Sequence, residues 1–195
     1  MNDTCCSLFR ILAKNDIEYA ILDVSDSIIN ILCKAEKKKQ VKQALGSDGW
    51  KRIKDTSNDV YLYGMDHFLY FENNGMKTVI CFQIACRSTL NGEWVPLDRK
   101  INTYAMSLIE SRDGLSYLCP EDELCYLLAK CVFTKKKFSE TDTTRIKNCF
   151  GRVSIEKLMP KLEGVFFRFS GKMMDMIRQG DFNNIISSLW QFAEY

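Results

Sequence analysis

The sequence predicts an α+β (mixed α/β) fold in which a strand-rich core is followed by a helical C-terminal subdomain. Three observations carry that expectation. Short aromatic and β-branched runs bounded by turn residues crowd the first half of the chain, as in "YAIL", "IINILC", "HFLYFE" and "KTVICFQIA". From residue 119 onward the apolar positions change to helical spacing, beginning with "CPEDELCYLLAKCVF". The order of elements (helix, hairpin, helix, several strands, helical tail) lacks the regular strand–helix alternation of a doubly wound sheet. The core is accordingly assigned to residues 1–118 and the helical subdomain to residues 119–195.

Each element has its own local cause. "DTCCSLFRILAK" places Leu8, Ile11 and Leu12 at helical spacing behind Asp3 as a cap. A turn at Asn15-Asp16 leads into the first strand. "YAILDVSDSIINILC" then reads as a hairpin, with the apolar runs Tyr19–Leu22 and Ile28–Cys33 flanking an acidic turn. "KAEKKKQVKQALGSDGW" is rich in alanine, glutamine and lysine, which favour helix, and Gly46 is placed to stop it. "DVYLYG", "HFLYFE" and "KTVICFQIA" read as strands, with "ENNG" as the turn between the last two. "RSTLNGEWVPLDRK" reads as a loop before the mixed segment "INTYAMSLIESRDGLSYL". In the tail, Pro120 and the acids after it suit a first helical turn, and "SETDTTRIKNCFG" has Ser139 or Thr141 as a cap and Gly151 as a stop.

Composition narrows the functions available. Of 195 residues, 46% are hydrophobic and 12% aromatic, enough for a true core, and the net charge of +2 creates no global field demanding a polyanionic partner. Nucleic acid is therefore not an expected partner. The N-terminus lacks a signal-peptide layout, and no apolar run approaches the roughly 18 residues that span a bilayer. A cytoplasmic protein without a membrane segment is expected. The nine cysteines show no Cys-x-x-Cys spacing and accompany a single histidine, so they read as small core residues and not as a zinc site. No Gly-rich strand-to-helix loop is present, which excludes a Rossmann or Walker phosphate site.

Several stretches, taken in order, resemble the nucleotidyltransferase superfamily, and in feel its small bacterial members. "LFRILAKNDIEYAIL" is similar to that family's leading helix and first strand, and "SIINILCKAEKKKQVKQALGSDGWKRI" to its second strand and following helix. "VYLYGMDHFLYFENNGMKTVICFQIACRST" resembles the next strands, "EWVPLDRKI" the loop beyond them, and "LSYLCPEDELCYLLAKCVF" the helical segment after the core. The resemblance spans residues 7–149 and implies a nucleotidyltransferase-like core with a mixed sheet. It also implies Mg²⁺, a nucleoside triphosphate, and two carboxylates spaced i, i+2 on the second strand with a third on a later strand. Alternate carboxylates are needed because residues i and i+2 share one face of a strand and grip metal ions together.

This sequence departs from that pattern at the residues that matter. In the natural register Ile28 occupies the first aspartate position and Asn30 the second, while the third falls near Cys81 or Gln83. The family's Gly-Ser turn is absent. Asp23 and Asp26 stand in the turn, and they are the remaining candidates for a metal, with Asn30 beside them in any catalytic role. As turn-forming residues they need no metal to explain them.

Other residues admit a functional reading beside a plainer one. Ser27 and Gln83 are candidates for ligand or phosphate contact through the same resemblance. His67, beside Asp66, is either a substrate-side residue or structural. Residues 34–54 hold eight Lys or Arg against two acids, which reads as the solvated face of a helix or as a phosphate-attracting rim. Arg87 and Lys100 are placed to contact phosphate, or to pair with Glu93 or Asp98. Lys130 either snorkels from its apolar surroundings or points into a cleft, and Arg145 and Lys147 read as helix surface. The Met-rich tail packs on the core or offers its helices to a protein partner.

Two functions follow. One is a member of the superfamily with impaired or absent two-metal transfer that keeps a cleft for a ligand or partner. The alternative is an active Mg²⁺-dependent nucleotidyltransferase acting on a small-molecule or protein hydroxyl.

Overall fold

The computed structural model describes residues 3–54 and 59–193. In chain order the elements are α1 (Asp3–Lys14), β1 (Tyr19–Val24), β2 (Ile28–Cys33), α2 (Lys38–Ser47), β3 (Lys51–Ile53), β4 (Leu69–Asn73) and β5 (Met76–Cys81). They continue with β6 (Ala85–Arg87), β7 (Trp94–Pro96), α3 (Arg99–Tyr104), β8 (Ile109–Arg112), β9 (Leu115–Leu118) and α4 (Pro120–Ala129). After a π-helical stretch at Lys130–Lys135 come α5 (Glu140–Phe150), α6 (Ile155–Phe166), α7 (Ser170–Gln179) and α8 (Ile185–Ala193). The chain divides into two compact units. One comprises Met1–Ile84 and Asn102–Cys119, the other Ala85–Ile101 and Pro120–Tyr195.

In the first unit, seven strands among the described residues form a mixed sheet in the order β3-β4-β5-β2-β1-β9-β8. β2 runs parallel to β5 and β1 parallel to β9, whereas β1–β2, β4–β5, β3–β4 and β8–β9 are antiparallel. The two tight hairpins use the left-handed region. Asn74 and Gly75 have φ of 48° and 77°, and Asp113 and Gly114 have 52° and 75°, the backbone that two-residue hairpin turns require. One face of the sheet carries Ile21, Ile29, Ile31, Phe71 and Ile80, which form a core with Leu8, Leu12, Val41, Leu45 and Trp50. Thr78 is buried on that face and donates its hydroxyl to the Ile29 carbonyl at 3.1 Å.

The helices of this unit end as left-handed caps. After α1, Asp16 has φ 51°, and the Ile17 N–H returns to the Leu12 carbonyl at 3.0 Å. After α2 the same device uses Gly49, with φ 84°, and the Trp50 N–H reaches the Leu45 carbonyl at 3.1 Å. Gly46, the expected stop, lies inside the helix; the chain needed a left-handed residue three positions later. The "DVYLYG" segment also differs from expectation: among its residues only Tyr61 makes an isolated bridge. The outer position is taken by β3, "KRI", whose charges suit an edge strand and hid it from an apolar pattern. The expected loop 87–100 likewise contains β7 and the start of α3.

In the second unit β6 and β7 form a two-stranded ribbon, and the helices gather around α4, every residue of which is buried. The acidic first turn of α4 does more than complement a helix dipole. Glu121 accepts the Ser154 N–H at 2.9 Å, Asp122 pairs with Lys161, and Glu123 holds Arg145 at 2.9 Å and Arg152 at 3.1 Å. Arg145, expected on a helix surface, is thus a tie from α5 to α4. Ser139 caps α5 in a reciprocal capping box with Asp142. Met173, Met174, Met176 and Ile177 of α7 are buried. No helix among the described residues is long and apolar enough to cross a membrane.

Candidate functional site

The β1–β2 hairpin is the place where the sequence put the chemistry. The two strands pair Ile21 with Ile31 and then Asp23 with Asn30, so Leu22 is an extra residue on β1. That bulge matters, because a one-residue shift moves a side chain to the other face of a strand. Without it Leu22 would oppose Asn30; with it Asp23 does. At the tip, the Ser25 N–H reaches the Ile28 carbonyl at 2.8 Å, and the Ile28 N–H donates to Ser25 Oγ at 3.2 Å. The Ser27 carbonyl accepts the Lys77 N–H at 2.8 Å, which fastens the turn to β5. Asp26 is exposed in that turn.

Ile28 and Asn30 share the sheet face opposite the core. Ile28 is 39% exposed, while its neighbour Ile29 is fully buried. Across β2 and β5, Ile28 pairs with Lys77, Asn30 with Val79 and Leu32 with Cys81. The row through Asn30 therefore reads Asp23, Asn30, Val79, Tyr70 and Ile53 over five strands. On β5 this face carries Lys77 opposite Ile28, Val79 opposite Asn30 and Cys81 opposite Leu32, none of them an acid. Cys81 is buried one pair further on, and Gln83 lies past the end of the strand.

Two Mg²⁺ ions call for several anionic oxygens at one point. Asp23, Asn30, Ile28 and Val79 offer one carboxylate, one amide and two apolar side chains. Among the described residues no group of three His, Cys, Asp or Glu side chains could hold a metal ion together. The donor set does not fit a two-metal centre.

A second feature lies at the β3–β4 edge of the same unit. A cavity of about 800 Å³ is bounded by Lys38 and Lys42 of α2, Arg52 and Lys54 at β3, and the rings of Tyr61, His67, Phe68 and Tyr70. The His67 ring stacks on Tyr61, with centroids 4.2 Å apart and planes inclined by 13°, and Phe68 meets Tyr61 edge-on at 5.4 Å. The Tyr70 hydroxyl donates to Asp59 at 3.0 Å and lies 3.4 Å from the Tyr61 hydroxyl. Burial, the Tyr61 hydroxyl and the nearby Asp59 carboxylate together hold the Tyr70 phenol far above its ordinary range, so it remains protonated. Lys38 pairs with Asp66 at 2.9 Å, and the Asp66 N–H donates to Gln83 at 3.3 Å. His67 and Gln83, two candidates from the sequence, are thus linked through Asp66.

The remaining sequence candidates belong to the second unit. Arg87 donates its N–H to Thr134 at 3.2 Å, and its guanidinium lies 5.0 Å from the Trp94 ring. Lys100 is exposed in the first turn of α3, where its N–H binds Asp98 at 2.8 Å. Lys130 stands 5.8 Å from the Tyr126 ring at the start of the π-helical stretch. Burial pushes Cys33 well up, and lifts Cys86 and Cys131 to about 12, so these thiols stay protonated.

No family model matches the sequence, and no curated protein does. Solved structures do. The antibiotic-resistance factor ANT(2'')-Ia superposes with a TM-score of 0.54 at 10% identity, over 92% of this chain and 100% of its own. The likeness is one of fold, an α+β, nucleotidyltransferase-like arrangement of a mixed sheet and several helices. The lincosamide antibiotic adenylyltransferase LnuA, solved with lincomycin bound, matches with a TM-score of 0.45 at 12% identity, over 78% of this chain and 98% of its own.

Within this nucleotidyltransferase-like fold, the pocket residues Arg52, Lys54, Tyr61 and Tyr70 are not marked individually by the sequence. The basic run 34–54 was visible, as was the aromatic content of "YLYGMDHFLYF". Their convergence depends on β3 pairing with β4, a contact that neither stretch announces alone.

Proposed function

We propose that this protein is a nucleotidyltransferase-superfamily member in which two-metal nucleotidyl transfer is impaired or absent, and that it acts by binding a ligand. One observation carries the reading: the face on which Asp-x-Asp and a third acid would converge presents Ile28, Asn30 and Val79. An isoleucine and a valine supply no oxygen, and an asparagine supplies a neutral one. Asp23, brought opposite Asn30 by the bulge, adds a single carboxylate, about 5 Å away across the strand pair. Together these make a weak point for a cation, with no clamp for the attacking and leaving oxygens of a phosphoryl group.

The bulge is also the observation that favours the second reading. An Mg²⁺-dependent transfer to a small-molecule or protein hydroxyl would use Asp23 and Asn30, with Asp26 of the turn as the third group. Manganese, which substitutes for magnesium and has an electron paramagnetic signal, separates the two. Titrated into the full chain, Mn²⁺ is expected to keep the spectrum of the free ion. Stoichiometric quenching that disappears in Asp23→Ala would overturn the first reading and support the second.

A further inference from the structure

We infer that β8, the outer strand of the sheet, is a self-association edge at which a second copy of this chain pairs antiparallel about a two-fold axis through Ser111. The inference is independent of what the β1–β2 hairpin binds. Among the described residues the sheet ends at β8, which pairs with β9 alone. Arg112 and Leu115 close the left-handed Asp113-Gly114 turn as a hydrogen-bonded pair. Alternation along the ladder then points the backbone N–H and C=O of Ser111 and Ile109 away from β9. Ser111 is exposed. β8 carries no proline, lysine or bulge to repel a further strand.

Charge selects both the partner and the register. Glu110 and Arg112 stand two positions apart, on one face of β8. With Ser111 opposite its own copy, each Glu110 lies directly opposite Arg112 of the other chain, so one strand supplies both halves of two ion pairs. The Ser111 pair exchanges its backbone hydrogen bonds, and the charges fall at the flanking non-hydrogen-bonded pairs, where side chains approach closest. The two nearest registers that keep the same backbone groups facing are centred one residue away on either side. One sets Glu110 against Glu110 and the other Arg112 against Arg112, and like charges directly opposite are destabilising. Within one chain the Glu110 carboxylate is 3.9 Å from Arg112 Nε, beyond hydrogen-bond distance, and the guanidinium lies 4.1 Å from the Tyr117 ring. A second copy brings another carboxylate to that cation. Apolar area comes from Tyr104 and Leu108, 56% and 50% exposed ahead of the strand. The chosen register carries Leu108 to Gly114 of the second copy, where a side chain would meet no atom within 4 Å. A four-residue strand makes a small contact, so a weak, reversible dimer is expected.

Sedimentation velocity of the full chain tests this. A dimer is expected to be populated at about 200 µM and to dissociate on dilution to about 2 µM. Ser111→Pro removes an outward N–H without touching the ladder to β9, and is expected to be monomeric throughout. Glu110→Arg and Arg112→Glu are each expected to be monomeric alone, because each sets like charges opposite one another. Mixed in equal amounts they are expected to form a heterodimer, because one chain then presents two cations and the other two anions. Far-ultraviolet dichroism checks that the variants are folded. If Arg112→Glu, which loses the Tyr117 contact, is not, Ser111→Pro and Glu110→Arg decide the matter. The inference is overturned if the parent stays monomeric at about 200 µM, or if either of those two variants still dimerises. It is overturned as well if the two charge variants, both folded, fail to associate when mixed. A monomeric parent that binds a fluorescent extended peptide of alternating valine and threonine, and loses it in Ser111→Pro, assigns the edge to a strand of another protein instead.

Discussion

At the scale of single residues, the same side-chain chemistry decides both function and cohesion. Ile28 and Asn30 were legible because strand alternation alone puts them on one face, and that is where the structure has them. The position of Asp23 was not legible, since a bulge at Leu22 leaves no mark in a run of apolar residues. Arg145 and Arg152 look like surface charges in sequence, yet they meet Glu123, whose side chain is only 5% exposed. Removing Glu123 removes both of these contacts at once. Glu123→Ala is therefore expected to cost about 1.5–3 kcal/mol in urea unfolding, more than loss of an exposed pair such as Asp175 with Arg178.

At the scale of elements, caps and turns carry the clearest tests. Gly46 and Gly49 look alike in sequence, but only Gly49 adopts a left-handed backbone. Gly46→Ala meets no atom within 4 Å and is expected to stabilise the protein by up to about 1 kcal/mol through helix propensity and unfolded-state entropy. Gly49→Ala is expected to destabilise it by about 1–2 kcal/mol, from backbone conformation and not from collision. Thermal melts of the two variants should therefore move in opposite directions. In α5, Ser139→Ala is expected to cost about 1 kcal/mol by removing the cap.

The partner in that capping box adds a pH dependence. Burial alone would raise the Asp142 carboxyl, but hydrogen bonds from Lys135, at 2.7 and 2.9 Å, and from Ser139 outweigh it and hold the group below its ordinary value. The stabilisation is complete above the unfolded value of about 4 and is lost as pH falls through the lower folded one. Urea midpoints should accordingly fall less steeply below about pH 4 in Asp142→Asn than in the parent. Ser139 and Gly151 were readable as the limits of α5 because capping is local chemistry. The edge strand β3 was not, because its three residues gain their identity only from pairing with β4.

For the whole molecule, the order of elements was legible from periodicity, and so was the helical character of the tail. The strand order was not. The parallel pairs β2–β5 and β1–β9 join segments far apart in sequence, and no local signal encodes them. Agreement with ANT(2'')-Ia over 92% of the chain at 10% identity shows how far the fold persists while the residues change. Function does not travel with the fold in that way; it depends on the few side chains of a site. At the hairpin, Ile28, Asn30 and Val79 stand where a two-metal centre would need acids. The most direct test is the affinity of the full chain for ATP with Mg²⁺ and with EDTA. Mg²⁺ is expected to leave any affinity unchanged or to weaken it, because the hairpin lacks the acids that would hold the cation against a phosphate. ATP binding that tightens about tenfold or more with Mg²⁺, and loses that gain in Asn30→Ala, would contradict it.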